Sequence, residues 1–244
     1  MSLSVIKTKN KKEGVMQLKE HERIDDLQYN QLKIIQNSDF FRFGSDAVEL
    51  ANFVSGGSKD KAVDLGSGSG IISILLAGKK NINVTAVEIQ PQVAEMSVRS
   101  VELNGLQDKI KVLNIPMQQI NEHLECGSQT IVVSNPPYRK ADSGEVSITD
   151  TVAISRHEIK VTLDEVISTA SYLLSKGGKF YIVHQSERLA EVIAGCKKHR
   201  LEPKVLQVLT PDDNKAPHIF LLKCLKDGKE GIEVKKQRKI VAYC

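Results

Sequence analysis

The chain of 244 residues has few means of crossing a membrane, chelating a metal or cross-linking itself. It has no run of about 18 consecutive apolar residues, which excludes a transmembrane helix. Its first residues lack the apolar centre of a secretory signal, so a cytoplasmic location is expected. Cysteine is sparse. Cys126, Cys196, Cys224 and Cys244 stand far apart with no Cys-x-x-Cys pair, which suggests neither a zinc site nor a disulfide framework. There is no internal repeat and no low-complexity tract. The composition, 41% hydrophobic and 26% charged, suits one substantial core with short extensions rather than two full domains.

Acidic charge is scarce at both ends. The net charge of +4 is modest, but Lys7, Lys9, Lys11 and Lys12 precede the first acid, Glu13. The last segment gathers Lys223, Lys226, Lys229, Lys235, Lys236, Arg238 and Lys239 against Asp227, Glu230 and Glu233. Such ends are commonly solvated tails, and they are also compatible with a polyanionic partner.

From Lys61 onward, β-branched runs alternate with segments of helical period. Strands are expected at Ala62–Leu65, Val84–Val87, Ile110–Leu113, Ile131–Val133 and Phe180–Val183, bounded by Gly, Asn, Pro and Ser. Helices are expected at Ile71–Gly78, Pro91–Asn104, Met117–Leu124, Leu163–Leu174 and Glu187–Lys198. This alternation indicates a mostly parallel sheet covered on both faces. Pro203–Thr210 and His218–Cys224, joined by the polar loop Pro211–Pro217, read as a closing antiparallel hairpin. Before Ser45 the α/β rhythm is missing. That segment holds a strand near Leu32–Gln36, the turn Asn37-Ser38-Asp39 and the aromatics Phe40, Phe41 and Phe43, before Ser45 or Asp46 caps a helix running to Val54.

Glycines cluster where the first α/β strand meets its helix, in Asp64-Leu65-Gly66-Ser67-Gly68-Ser69-Gly70. A dinucleotide fingerprint wants its third glycine at position 71, which is Ile71, and a P-loop wants a Gly-Lys-Ser/Thr ending that Ile71-Ile72 does not supply. What remains is an acid at a strand end beside a glycine turn. The next strand ends in Glu88, 24 residues after Asp64, where a carboxylate can accept from both hydroxyls of a ribose. A ribose site without a phosphate cradle fits S-adenosylmethionine.

Asn135-Pro136-Pro137-Tyr138 follows the apolar run Ile131-Val132-Val133-Ser134. Two prolines cannot continue a sheet ladder, so a buried strand ends there with an amide and a phenol ring at its tip. Asn-Pro-Pro alone is often a plain turn. At a strand tip beside a methyl donor it has another use: the amide oxygen of Asn135 and the Pro136 carbonyl can each accept one hydrogen of a planar amine while Tyr138 stacks on the group that bears it.

Val63–Gly70, Glu88 and Asn135–Tyr138 resemble three motifs of the Rossmann-like S-adenosylmethionine-dependent methyltransferases that methylate planar amines. More narrowly, Arg23–Leu27, Phe41–Ala47, Asn135–Tyr138 and Arg156-His157-Glu158 resemble the bacterial tRNA1(Val) adenine-37 N6-methyltransferase family, the likeness running from about residue 20 to the end. The resemblance implies a class I fold with a seven-stranded, mostly parallel sheet and a C-terminal antiparallel hairpin. It also implies that residues 1–44 pack over the cofactor site and that 45–244 form the catalytic domain with a basic tail. The implied cofactor residues are Phe43, Asp46, Asp64, Gly66, Gly68, Gly70, Glu88, Ile89, Gln118 and Asn135, with Asp46 near the methionine end. The implied catalytic residues are Asn135, Pro136, Pro137 and Tyr138, and Arg139, Lys140, Arg156 and His157 are available to RNA. Relatives usually carry an acid after the third strand to hold the cofactor's adenine. This chain has Asn114-Ile115-Pro116-Met117-Gln118 there, so Gln118 or a backbone carbonyl would substitute. Arg139–Glu158 is a mobile cover on this reading and a solvated surface loop on the plainer one, and His157 has a structural reading beside a catalytic one.

The expected partner is a tRNA or another structured RNA, with no membrane, metal or obligate protein partner. Glutamine methyltransferases of release factors share Asn-Pro-Pro-Tyr but normally carry a helical N-terminal domain, for which the lysine-rich start is poor material. A DNA adenine methyltransferase would need sequence-reading apparatus with no evident place here. Small-molecule methylation explains neither the basic ends nor the tetrapeptide. An inactive cofactor-binding interaction protein would have little reason to carry all four residues of the tip.

Overall fold

The computed structural model describes residues 17–40, 44–138, 161–211 and 216–240. A hairpin of β1 (Glu22–Asp26) and β2 (Lys33–Asn37) precedes α1 (Ser45–Phe53). The α/β rhythm then follows as β3 (Lys61–Leu65), α2 (Ile71–Lys80), β4 (Asn83–Glu88), α3 (Pro91–Leu103), β5 (Ile110–Asn114), β6 (Gln129–Ser134), α4 (Leu163–Leu173), β7 (Leu174–Gln185) and α5 (Leu189–Lys198). It closes with β8 (Leu201–Thr210), β9 (Ile219–Lys226) and the two-residue strands β10 (Glu233–Val234) and β11 (Arg238–Lys239).

The main sheet runs β5-β4-β3-β6-β7-β9-β8, with β10 and β11 on the outer edge of β8. β5 through β7 are parallel, and β9 is antiparallel to both β7 and β8. From β3 the chain winds one way to β4 and β5, then returns to add β6 and β7 on the other side. This reversal opens a crevice at the carboxyl ends of β3 and β6, where open α/β sheets take their ligands. The apolar runs of the sequence follow from burial on two faces: Ala62, Ile131, Val133 and Tyr181 join the core under α1 and α2, while Val63, Val132, Phe180 and Ile182 join the core under α4 and α5.

Three expectations are corrected and one strand was not foreseen. Met117–Leu124 is not an α-helix; Met117–Glu122 forms a 3-10 helix, because only Met117 and Ile120, three residues apart, are drawn inward. Neither Ser45 nor Asp46 caps α1. Gly44 stands at its N-cap with no side-chain cap, and the Asp46 carboxylate is engaged elsewhere. Glu22–Asp26 is a strand that its charge concealed, since Ile24 is the one apolar residue of the five. The basic C-terminal segment is not a free tail over its described part: the Lys235 amide donates to the Leu206 carbonyl at 2.8 Å and the Ile240 amide to that of Thr210 at 2.8 Å, so the main sheet has nine strands rather than seven.

The N-terminal hairpin shares the domain's core. Leu27, Leu32 and Ile34 pack with α1 and α2, and Ile35 meets Val93 and Met96 of α3. Asn104 at the end of α3 accepts from the Lys33 amide at 2.8 Å, and Arg99 clamps Glu22 with both terminal nitrogens. Among the described residues no helix is long and apolar enough to cross a membrane.

Candidate active site

Two loops meet at the crevice. The glycine loop after β3 is bound to β4 by backbone bonds: the Gly66 and Ser67 amides both donate to the Val87 carbonyl, at 3.0 and 2.9 Å. Glu88 closes the same turn. Its carboxylate accepts from the Gly68 amide and from the Gln90 amide, each at 2.9 Å. Burial raises the pKa of Glu88, and these backbone bonds oppose the rise. Asn114, at the tip of β5, donates its amide to the carbonyls of Glu88 at 2.8 Å and Ile89 at 3.0 Å, fixing the β4 tip from its far side. Gly70 has φ +89° and enters α2 against α3; a Cβ there would lie 2.5 Å from Ser97 Oγ, so no larger residue fits without displacement.

Asp64 lies beneath this loop, fully buried. One carboxylate oxygen accepts from Ser73 Oγ of α2 at 2.7 Å, and the other has no protein partner. Burial pushes its pKa up to about 7, against the Ser73 bond and with help from the charge of Glu88.

The second loop is held by side chains. Asp46, in the first turn of α1, accepts from Asn135 Nδ2 at 3.2 Å and from the Tyr138 hydroxyl, while its other oxygen accepts from the Ala47 amide at 2.9 Å. A carboxylate only accepts, so the Asn135 amide must turn its NH2 group toward Asp46, which leaves Oδ1 free to accept from another molecule. Burial and the Asp46 charge hold Tyr138 far above the ordinary phenol range, so it remains a donor. The ring of Tyr138 lies 5.2 Å from that of His184, at the end of β7, and Arg188 donates to the Tyr138 carbonyl at 3.2 Å. His184 is kept neutral, its pKa pushed down to about 4 by burial and by the Arg188 charge. Ser134 Oγ ties the β6 tip to the Leu65 carbonyl at 2.9 Å, setting one loop beside the other.

The fold thus gathers Asp64, Gly66, Gly68, Gly70, Glu88 and Ile89 on one side of the crevice and Asp46, Asn135, Pro136, Pro137 and Tyr138 on the other. Gln118 lies beyond the β5 tip, its amide donating to Glu165 at 3.2 Å. Phe43, Arg139, Lys140, Arg156 and His157 lie outside the described residues. Asn114, Ser73, His184 and Arg188 escaped the sequence reading. Position gave a signal for two of them, since Asn114 and His184 stand at the carboxyl ends of strands, but nothing in the sequence pairs Arg188 with Tyr138.

Strand order and loop chemistry define a Rossmann-like protein with a nucleoside site at its switch point. Residues 44–199 match the model of the methyltransferase small domain, and the chain belongs to that family. Among curated relatives, the tRNA1(Val) (adenine(37)-N6)-methyltransferase of Pedobacter heparinus is 26% identical over 200 residues, covering 82% of this chain and 83% of the relative. The enzyme of the same name from Porphyromonas gingivalis is 26% identical, covering 81% and 79%. Among solved structures, a predicted O-methyltransferase from Agrobacterium tumefaciens superposes with a TM-score of 0.63 at 21% identity, over 81% of this chain and 87% of that one. Geranyl diphosphate C-methyltransferase from Streptomyces coelicolor, solved with S-adenosyl-L-homocysteine, gives 0.54 at 15% identity, over 75% and 78%. The fold is the class I methyltransferase fold that the sequence led one to expect.

The cofactor is S-adenosylmethionine, and the residues present fit it. Gly66 and Gly68 hold φ +72° and +55°, with nothing within 4 Å of where a Cβ would stand, so the backbone can be approached closely. Asp64 Oδ1 and Ser67 Oγ are buried polar atoms of the same loop without protein partners. Glu88 places a carboxylate at the β4 tip, where it would meet ribose hydroxyls, and the loop carries no lysine for a phosphate.

Proposed function

We propose that the protein methylates the exocyclic N6 amine of an adenine in RNA, namely adenine 37 of a tRNA anticodon loop, using S-adenosylmethionine. The observation that carries the reading is the Asn135–Tyr138 tip beside the glycine loop, with the Asn135 amide turned by Asp46. The names of the curated relatives support the choice of nucleotide.

Bound at the glycine loop, S-adenosylmethionine supplies a methyl group on a sulfonium, an electrophile that is already activated. The chain's own task is the acceptor. The lone pair of an adenine amine is delocalised into the ring. Asn135 Oδ1 and the Pro136 carbonyl each accept one N–H, favouring a tetrahedral nitrogen and stabilising the positive charge that develops there. Tyr138 stacks on the base, worth roughly 1–3 kcal/mol. Two prolines hold the tip rigid, which preserves alignment. A base inside a helix could not reach this tip, whereas one splayed from a loop can. Residues 1–44 complete the wall over the cofactor, Phe43 among them and Asp46 of α1 lying toward its methionine end, and Arg139, Lys140, Arg156 and His157 meet the RNA. The enzyme works on its tRNA in the cytoplasm.

The test is incubation with labelled S-adenosylmethionine and, separately, total RNA, total DNA and cell protein, followed by mass spectrometry of the labelled product. N6-methyladenine at position 37 of a tRNA is expected. Label confined to protein glutamine or to DNA would overturn the reading.

A further inference from the structure

We propose that Lys179, Lys223, Lys235 and Arg238, on the α1 side of the outer strands, form a docking surface for the phosphate backbone of the RNA stem that carries the target adenine. This rests on the RNA-methylating reading above.

The sheet register puts these residues on one face. Tyr181 of β7, Lys223 of β9, Val205 of β8 and Glu233 of β10 pair across the sheet in a single row, and directly paired residues share a face. Lys179 lies two residues before Tyr181 on the same strand, and its ammonium reaches the Ser55 carbonyl just past α1 at 3.2 Å. Lys235 follows Glu233 by two residues. Arg238 pairs in register with Leu209 and donates to the buried Glu49 of α1. The C-terminal segment therefore covers the edge of β8 and adds cations to the face that α1 borders.

Three of these cations lie close together, while the fourth, Arg238, is matched by Glu49. Among the described residues Lys179, Lys223 and Lys235 form no ion pair. Burial lowers the pKa of Lys223, and so do the charges of Lys179, Lys235 and Lys204, with Glu233 opposing. Folding gains nothing from assembling like charges, and a polyanion relieves that repulsion. Direction completes the argument. The row runs beside α1, a helix of 9 residues that leads at its C-terminal end to the Ser55 carbonyl reached by Lys179, whose middle touches Arg238 and whose first turn holds Asp46 against Asn135 and Tyr138. Nine helical residues span roughly 14 Å, so the cations track a length of backbone that ends at the acceptor tip.

The experiment measures binding of an unmodified tRNA transcript across a salt series for the wild-type protein and for the double variant Lys223→Gln/Lys235→Ala. Arg238 is left in place, because its removal would strand the buried Glu49. Loss of two phosphate contacts should flatten the slope of log affinity against log salt by about 1.4–1.8 and weaken binding about tenfold. Turnover at saturating RNA and affinity for S-adenosylhomocysteine should stay within about twofold, which also reports that the variant folds. Lys111→Ala, on the opposite edge of the sheet, should leave the slope unchanged. A wild-type slope in the double variant overturns the docking surface and leaves the RNA reading intact. If the wild-type protein itself neither binds nor methylates the transcript, the RNA reading fails and the surface with it.

Discussion

The two sides of the crevice are built by different means. On the cofactor side the bonds are local and mostly backbone, with Gly66, Ser67 and Gly68 tied to Val87 and Glu88 across one strand pair. On the acceptor side the bonds come from side chains distant in sequence, with Asp46 lying 89 residues from Asn135 and 92 from Tyr138. A nucleoside can be held by fixed amides and one acid. An amine that must be reshaped needs an acceptor whose orientation is set, and the neighbouring carboxylate sets it.

If the two sides are separable, their variants should fail differently. The largest effect is expected for Asn135→Ala, which should lower turnover about 10²–10³-fold, the usual loss for a group that meets developing charge, while calorimetry gives cofactor affinity within about twofold of wild type. Glu88→Ala should do the reverse. Losing a carboxylate that meets ribose hydroxyls is worth about 1.5–3 kcal/mol, so cofactor Kd should rise about 10- to 100-fold with far less change in turnover at saturation. Equal damage to both parameters in both variants would mean the crevice acts as one unit. Asp46→Asn is the smaller and sharper case. An amide can face Asn135 with either its oxygen or its nitrogen, so the Asn135 orientation is no longer forced and the Tyr138 bond loses its charge. Turnover should fall about tenfold with the KM for RNA unchanged. If cofactor Kd rises instead and saturated turnover is normal, Asp46 serves the methionine end of the cofactor and not the orientation of Asn135.

The same contrast explains what the sequence disclosed. The strands were legible because burial on both faces leaves continuous β-branched runs, as in Ile131-Val132-Val133, and the glycine loop because its spacing to Glu88 is set by one strand-helix-strand unit. Asn135–Tyr138 was legible because prolines mark a strand end. The bonds of Asp46 and Arg188 to that tip were not, because they depend on how α1 and β7 pack, and no local pattern encodes a contact across 50 or 89 residues. The order of β10 and β11 was hidden for a related reason: Lys235, Lys236, Arg238 and Lys239 have the composition of a solvated tail, and pairing with the free edge of β8 ordered them.

The smallest predicted effect lies within the cofactor side, where Asp64 makes the ligand-free loop less stable as pH rises. Its folded pKa of about 7 stands above the ordinary 3.8, so the folded state keeps a proton that the unfolded state releases. The contribution to stability is whole below about 3.9 and is lost progressively as pH rises toward 7, where the buried carboxyl must ionise. Asp64→Asn keeps the shape and the bond from Ser73 but removes the titration. In the ligand-free protein the melting temperature of the variant relative to wild type should therefore climb between pH 4 and pH 7 and level off above it. The same variant should bind S-adenosylmethionine more weakly, since the unpartnered oxygen that costs stability is the one left to meet the ligand. A stability difference that is flat with pH would mean that Asp64 is ionised without cost beneath the glycine loop, and the link between its burial and its role would be broken.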